Sequence, residues 1–502
     1  MSLDQSRDPA DDARPFDVVV IGAGAAGLAA ARETVHVGLS TVVLEAADEI
    51  GGCVRARTVG GLTVDVGAES FATRTGAIAG ILGDLGLADE IVAPHPGGSW
   101  LHLPALKGGG AVTVPSPKAS LLGIPASPLA DDVRAVIGTS GAWRAYLDRL
   151  KPILTIGGAK RLGPLVEKRM GRLVLDRLVS PLSTGVYSVD ADDLDVDLVA
   201  PGLNAAMTRT GSLSGAVAEL RESAPAGAAV QGLRGGMTGL VRALAADIRH
   251  FSGEIRTGTR VTAILPATVA GAPGWTIEAV TADGEPITVQ ARRVVLAVPS
   301  TVAVGLLAAA RPEWRRLAEL GWPEPASVEI VTLVIDEPEL DAAPRGTGVL
   351  VASGTPGVSA KALTHSTAKW SWLAAAADAA AAGRHVVRLS YGRVGSERPT
   401  AGLDDAEVEN LAIADASAIL GIALQRSALV ASDRVVWTDA VSHAAIGQRD
   451  RVGEVRSAIE DDETIAVVGS WMAGTGLASV IPDARASAQV LRRSALHTET
   501  GI

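Results

Sequence analysis

Asp17-Val-Val-Val-Ile-Gly-Ala-Gly-Ala-Ala-Gly27 is the stretch that decides the fold. Its β-branched run, Asp17 to Ile21, suits a buried parallel strand. Gly22, Gly24 and Gly27 follow at the G-x-G-x-x-G spacing. The first glycine permits a tight turn, the second lets backbone approach a pyrophosphate, and the third allows close helix–strand packing. The Ala-rich segment Leu28 to Val35 favours a helix. Its N-terminus, with Ala25 and Ala26 leading in, offers N–H groups and the positive dipole end to a phosphate. A second apolar strand, Ser40 to Leu44, ends at Glu45, with Ala46 beside it. A carboxylate there accepts ribose hydroxyls.

Strand, turn, helix, strand and acid therefore stand in the order of a dinucleotide site. Gly51-Gly52 and Arg55 add a second backbone approach and a cation. They favour the longer flavin dinucleotide, and Glu45 argues against NADP, whose 2′-phosphate it would repel. Near the other end lies Val467-Val-Gly-Ser-Trp-Met-Ala-Gly-Thr-Gly476-Leu. The two glycine segments together predict a chain that wraps its length around one FAD.

The 502 residues are enough for two or three domains, and 47% hydrophobic content permits large cores. A net charge of −11 disfavours nucleic acid as a partner. The single cysteine, Cys53, excludes an intrachain disulfide and a cysteine-based metal cluster, and no metal site is expected. Residues 1–15 read as a polar tail without a signal-peptide core. No run approaches a membrane-spanning length; the longest, Trp372 to Ala382, is broken by Asp378. A cytoplasmic protein is expected, with peripheral membrane contact left open.

Further segments carry a family resemblance. Glu69-Ser-Phe-Ala-Thr-Arg74 after Gly67, Asp176 to Tyr187 around Pro181, Leu233-Arg-Gly-Gly-Met237, Lys361 to Trp370, and Gly474-Thr-Gly-Leu477 all contribute. From Phe16 to about Leu491 the chain resembles the bacterial porphyrinogen oxidases of haem biosynthesis, a branch of the FAD-dependent amine oxidase superfamily. The first and last motifs belong to the whole superfamily. The segments around Pro181 and Trp370 decide the branch.

The resemblance implies an α/β (α+β overall) fold. Its Rossmann-like FAD domain is assembled from residues 16–85, 221–300 and 436–492. A helical, membrane-facing subdomain spans 86–220, a mixed-sheet substrate domain spans 301–435, and a short tail spans 493–502. It implies oxygen-dependent, six-electron oxidation of a porphyrinogen, with coproporphyrinogen III expected over protoporphyrinogen IX and H2O2 released. It adds Gly67, Ala68, Glu69, Ser70, Val261, Trp471, Gly474, Thr475, Gly476 and Leu477 to the FAD residues. Arg74 and Trp370 become candidates for the substrate, as do Arg388 and Arg393, which flank Tyr391. Hydride passes to flavin N5, so no catalytic side chain is named. Product hand-over to a ferrochelatase and a monomer or homodimer complete the expectation.

The chain departs from the family pattern at Ala68, Cys53, Ser442-His443-Ala444 and Gln448. A flavin amine oxidase is the nearest alternative; a carotenoid desaturase-type enzyme and a non-catalytic flavin protein are weaker ones. Amine oxidases of this fold place a lysine near the flavin from the substrate domain. Here no lysine occurs between Lys168 and Lys361, and Lys369 belongs to the Lys-Trp run.

Overall fold

The computed structural model describes residues 14–152, 158–223, 229–440 and 444–500. The opening motif forms β1, Phe16–Ile21, then α1, Ala25–Val35, then β2, Thr41–Leu44. The helix starts three residues earlier than the Ala-rich run suggested, because Gly24 takes extended backbone and serves as its N-cap. Val18, Val19 and Val20 are buried, as the β-branched run requires.

These strands enter a seven-stranded sheet. Glu254–Arg256, β2, β1 and Pro286–Leu296 lie side by side, and Ile465–Val467 pairs with Pro286–Leu296. Pairing among these five is parallel. The register aligns their C-terminal ends: Ile21 faces Leu44 and Leu296, Leu44 faces Arg256, and Leu296 faces Val467. One strand therefore separates the first glycine loop from the last, although more than 440 residues lie between them in sequence. In parallel α/β sheets the loops at the carboxyl ends of the strands form the ligand crevice. A hairpin turning at Asp283-Gly284 joins Ala272–Thr281 to Pro286–Leu296, and it extends the sheet with Thr259–Val269.

Behind this sheet α1 packs against Thr238–His250 and Leu477–Thr500 in one apolar core. A buried acid fastens them. Glu33 on α1 receives Arg485 Nε at 2.6 Å and Arg492 Nη1 at 2.9 Å. Burial pushes the Glu33 carboxyl up, but the arginines and Gln489 outweigh it and hold it below the usual range.

A second seven-stranded sheet runs Leu429–Ala440, Ala326–Asp336, Arg384–Tyr391, Ala362–His365, Gly348–Val351, Ser99–Pro104 and Ala111–Pro115. It is antiparallel except where Gly348–Val351 meets Ser99–Pro104. Helices between Asp131 and Glu222 cover part of it through their own apolar core. Pro181 sits between two π-helical turns, Leu175–Val179 and Ser183–Tyr187, where a missing N–H suits widened backbone. Among the described residues no helix is long and apolar enough to cross a membrane.

Candidate flavin and substrate site

The glycine loop after β1 is held by sterics. A Cβ on Gly22 would lie 2.5 Å from the Ala297 carbonyl oxygen, and one on Gly27 would lie 1.9 Å from that of Gly22. Gly24 differs: no described atom lies within 4 Å of a Cβ built there. Its side is open, and it stands at the N-terminus of α1. Among the described residues no side chain caps that terminus, and no acid occupies its first turn. Free N–H groups, a positive dipole end and an open approach make a place for a phosphate.

Glu45 lies at the end of β2. Its carboxylate accepts from the Ala23 amide at 2.7 Å and from the Ala47 amide at 2.9 Å. A carboxylate has roughly four acceptor positions, so about two remain for hydroxyls. The Glu45 carbonyl accepts from Thr259 N at 2.7 Å, which brings the strand carrying Val261 alongside. Val261 itself sits at a bulge, half-buried. Gly51 bridges to Gly24 and donates to Ala23 at 2.8 Å, and a Cβ on Gly52 would lie 3.4 Å from Gly24 Cα. Ala46 is exposed beside them. Arg55 keeps a buried Nε without a hydrogen-bond partner among the described residues, 3.5 Å from Glu49.

The next loop packs directly on this one. Ala68 N donates to the Cys53 carbonyl at 2.9 Å, and a Cβ on Gly67 would sit 1.9 Å from the same oxygen. Cys53 is exposed. Gly67, Ala68, Glu69 and Ser70 are each half-buried. After the strand Ile465–Val467, Gly469, Gly474 and Gly476 all take positive φ, and Thr475 and Gly476 are exposed. Leu477 is buried as it opens the last helix.

Four sequence expectations change here. Arg388 is not free for substrate: it is buried, with Nη1 on Glu69 Oε2 at 2.7 Å and Nη2 on the Gly67 carbonyl at 2.8 Å. The Glu69 side chain is correspondingly committed to Arg388 and Lys369, so it supports its loop by ion pairs. Burial raises its carboxyl, but the two cations outweigh burial and hold it low. Trp370 is a core residue, packed with Val64 and Leu373 and pressed against Gly232, where a Cβ would lie 2.7 Å from its ring. Trp471 is also core: its indole is buried, donates to the Val298 carbonyl at 3.0 Å and meets Trp322 edge-on at 5.3 Å. It braces the C-terminal loop, as does Gln448, whose amide donates to the Trp471 carbonyl at 3.1 Å.

Arg74 is exposed and close enough to influence Tyr187, whose hydroxyl is raised by burial and partly relieved by the Arg74 charge. Arg393 donates to Ser353 at 2.6 Å. Lys361 is buried and donates to Ser188 Oγ at 2.6 Å; burial, with help from Arg393, pulls it down to about 7. Ser442 and His443 lie outside the described residues.

Sequence reasoning missed Asp65. This buried carboxylate receives Met237 N at 3.0 Å, tying the Gly67 loop to the Arg234-Gly-Gly-Met turn, and burial pushes it up to about 6. Its signal was modest: an acid at the end of an apolar strand, two residues before a glycine.

A family model described as flavin-containing amine oxidoreductase matches residues 25–490. A coproporphyrinogen III oxidase of Mycobacterium leprae is 29% identical over 482 residues, spanning 94% of this chain and 97% of its own length. Among solved structures, a proposed protoporphyrinogen oxidase from Exiguobacterium sp. 255-15 superposes with a TM-score of 0.76 at 24% identity, covering 96% of this chain and 98% of its own. Cyclohexylamine oxidase from Brevibacterium oxydans shares the fold at a TM-score of 0.62 and 14% identity, covering 96% and 99%.

Proposed function

The chain belongs to the flavin-containing amine oxidoreductase family, and from that premise we propose that it oxidises a porphyrinogen to a porphyrin, with coproporphyrinogen III preferred. The observation that carries this reading is the near end-to-end similarity to a coproporphyrinogen III oxidase. The fold alone does not select the substrate, since an amine oxidase shares it.

The cofactor is FAD. Gly24 and the first turn of α1 would hold its pyrophosphate and Glu45 a ribose, while Gly67–Ser70 and Gly474–Gly476 would flank the flavin. Bound FAD supplies a two-electron acceptor, so three rounds remove the six hydrogens that separate porphyrinogen from porphyrin. Dioxygen as terminal acceptor balances each round with one H2O2. The chain's own part is binding, orientation and shielding.

Arg74 is the exposed cation of the substrate side, and a guanidinium pairs bidentately with a propionate. Lys361 and Lys369 are the only lysines after Lys168; Lys361 is bonded to Ser188, and Lys369 is paired with Glu69 of the Gly67–Ser70 loop. The commitment of Lys361 to Ser188 weakens one form of the amine oxidase alternative. Exposed Trp143, Leu147 and Leu150 support a peripheral membrane contact on the helical side. Hand-over to a ferrochelatase and a monomeric or homodimeric state belong to the same reading.

Steady-state kinetics with both porphyrinogens test the preference. A higher kcat/KM for coproporphyrinogen III is expected; a clear advantage for protoporphyrinogen IX would reverse it.

A further inference from the structure

Beside the Gly67–Ser70 turn lies a small, partly open cleft of about 10 Å³, bordered by Asp65, Glu69, Ser366, Trp370, Trp372 and Arg388. That volume is about the space one water molecule needs. Ser366 Oγ, Trp372 Nε1 and Arg388 Nε are buried and have no hydrogen-bond partner among the described residues. All three residues line this one cleft, which is unusual, because buried polar groups in folded proteins are nearly always bonded.

We propose that one ordered water occupies this cleft and positions the flavin-facing loop. The donor count fits it. Trp372 Nε1 and Arg388 Nε can only donate; Ser366 Oγ and the two carboxylates can accept. A water accepts two hydrogen bonds and donates two, so it can join both donors to the hydroxyl and to Asp65 or Glu69. A metal cation would face two N–H groups, and an anion would face two carboxylates.

The consequence concerns Arg388. Its two terminal nitrogens already hold Glu69 and the Gly67 carbonyl, and the water takes its third donor. Ser366 and Trp372 come from the helices Ser366–Lys369 and Ser371–Ala380, beside the second sheet. The water therefore links that side of the molecule to the loop beside the flavin. Arg388, Ser366 and Trp372 are positioning residues. Their role is independent of which substrate is oxidised.

A crystal structure of the FAD-loaded enzyme, grown with bromide and at a resolution that shows ordered waters, tests this directly. One peak within hydrogen-bonding distance of Trp372 Nε1, Arg388 Nε and Ser366 Oγ is expected, with no bromide signal. No peak, or a bromide peak, overturns the proposal. A second test is a double-mutant cycle read as the FAD dissociation constant. Trp372→Phe and Ser366→Ala should each weaken FAD by roughly threefold to tenfold. Because both act through one water, the double variant should fall short of the product of the two effects. Effects that multiply independently would count against a shared water.

Discussion

The two faces of the site are built from different materials. The dinucleotide side is made of backbone: glycine turns, a helix N-terminus and strand ends in register. The side proposed to meet the flavin edge and the substrate is made of side chains that bind one another, with Glu69 between Lys369 and Arg388 and Asp65 under Met237. Backbone sites are fixed by local spacing, whereas side-chain networks join residues 300 or more positions apart.

The sharpest way to break the backbone side is Gly27→Val. Its Cβ would fall 1.9 Å from the Gly22 carbonyl, so helix and loop must separate. The purified variant should carry almost no flavin by absorbance; flavin content near wild type would contradict the packing role of this glycine. The side-chain network should yield next. Glu69→Gln leaves Lys369 and Arg388 facing each other without their acid. Losing one member of a buried ion network costs about 3 kcal/mol, read as a drop in the chemical-denaturation midpoint. An unchanged midpoint would mean that the two cations find other partners.

Asp65 sharpens the comparison through pH. Its folded value, about 6, lies above the ordinary 3.8. The folded state therefore holds this proton more tightly. The stabilisation is fully present below about pH 4 and is lost as pH rises through 6, a change of roughly 3 kcal/mol at most. Asp65→Asn removes this titration. Between pH 4 and 6.5 the variant should gain stability relative to wild type, and parallel pH–stability curves would argue against the assignment.

The smallest expected effect separates the two arginines. Arg74→Ala should raise KM about tenfold for coproporphyrinogen III, an effect of about 1.4 kcal/mol, and less for protoporphyrinogen IX, with flavin content unchanged. Arg388→Gln should instead lower flavin content and leave the ratio of the two KM values alone. The reverse pattern would exchange their roles.

This contrast also explains what could be read from the chain. The β1–α1–β2 unit and Glu45 follow from spacing and strand pattern, because such rules act within some 30 residues. The partners of Arg388 and Trp370 were not legible for one reason. A buried arginine beside a tyrosine and a tryptophan beside a lysine look the same in sequence whether they face a ligand or the core. What separates them is a partner far along the chain: Glu69 for the arginine, Gly232 for the tryptophan. Asp65 was missed because its donor, Met237, is 172 residues away.

Anaerobic mixing of the FAD-loaded protein with coproporphyrinogen III, followed by flavin absorbance, tests the central claim most directly. Bleaching of the oxidised flavin band with concurrent appearance of porphyrin absorption is predicted. A band that persists with the porphyrinogen but bleaches with a primary amine would contradict the assignment and restore the amine oxidase reading.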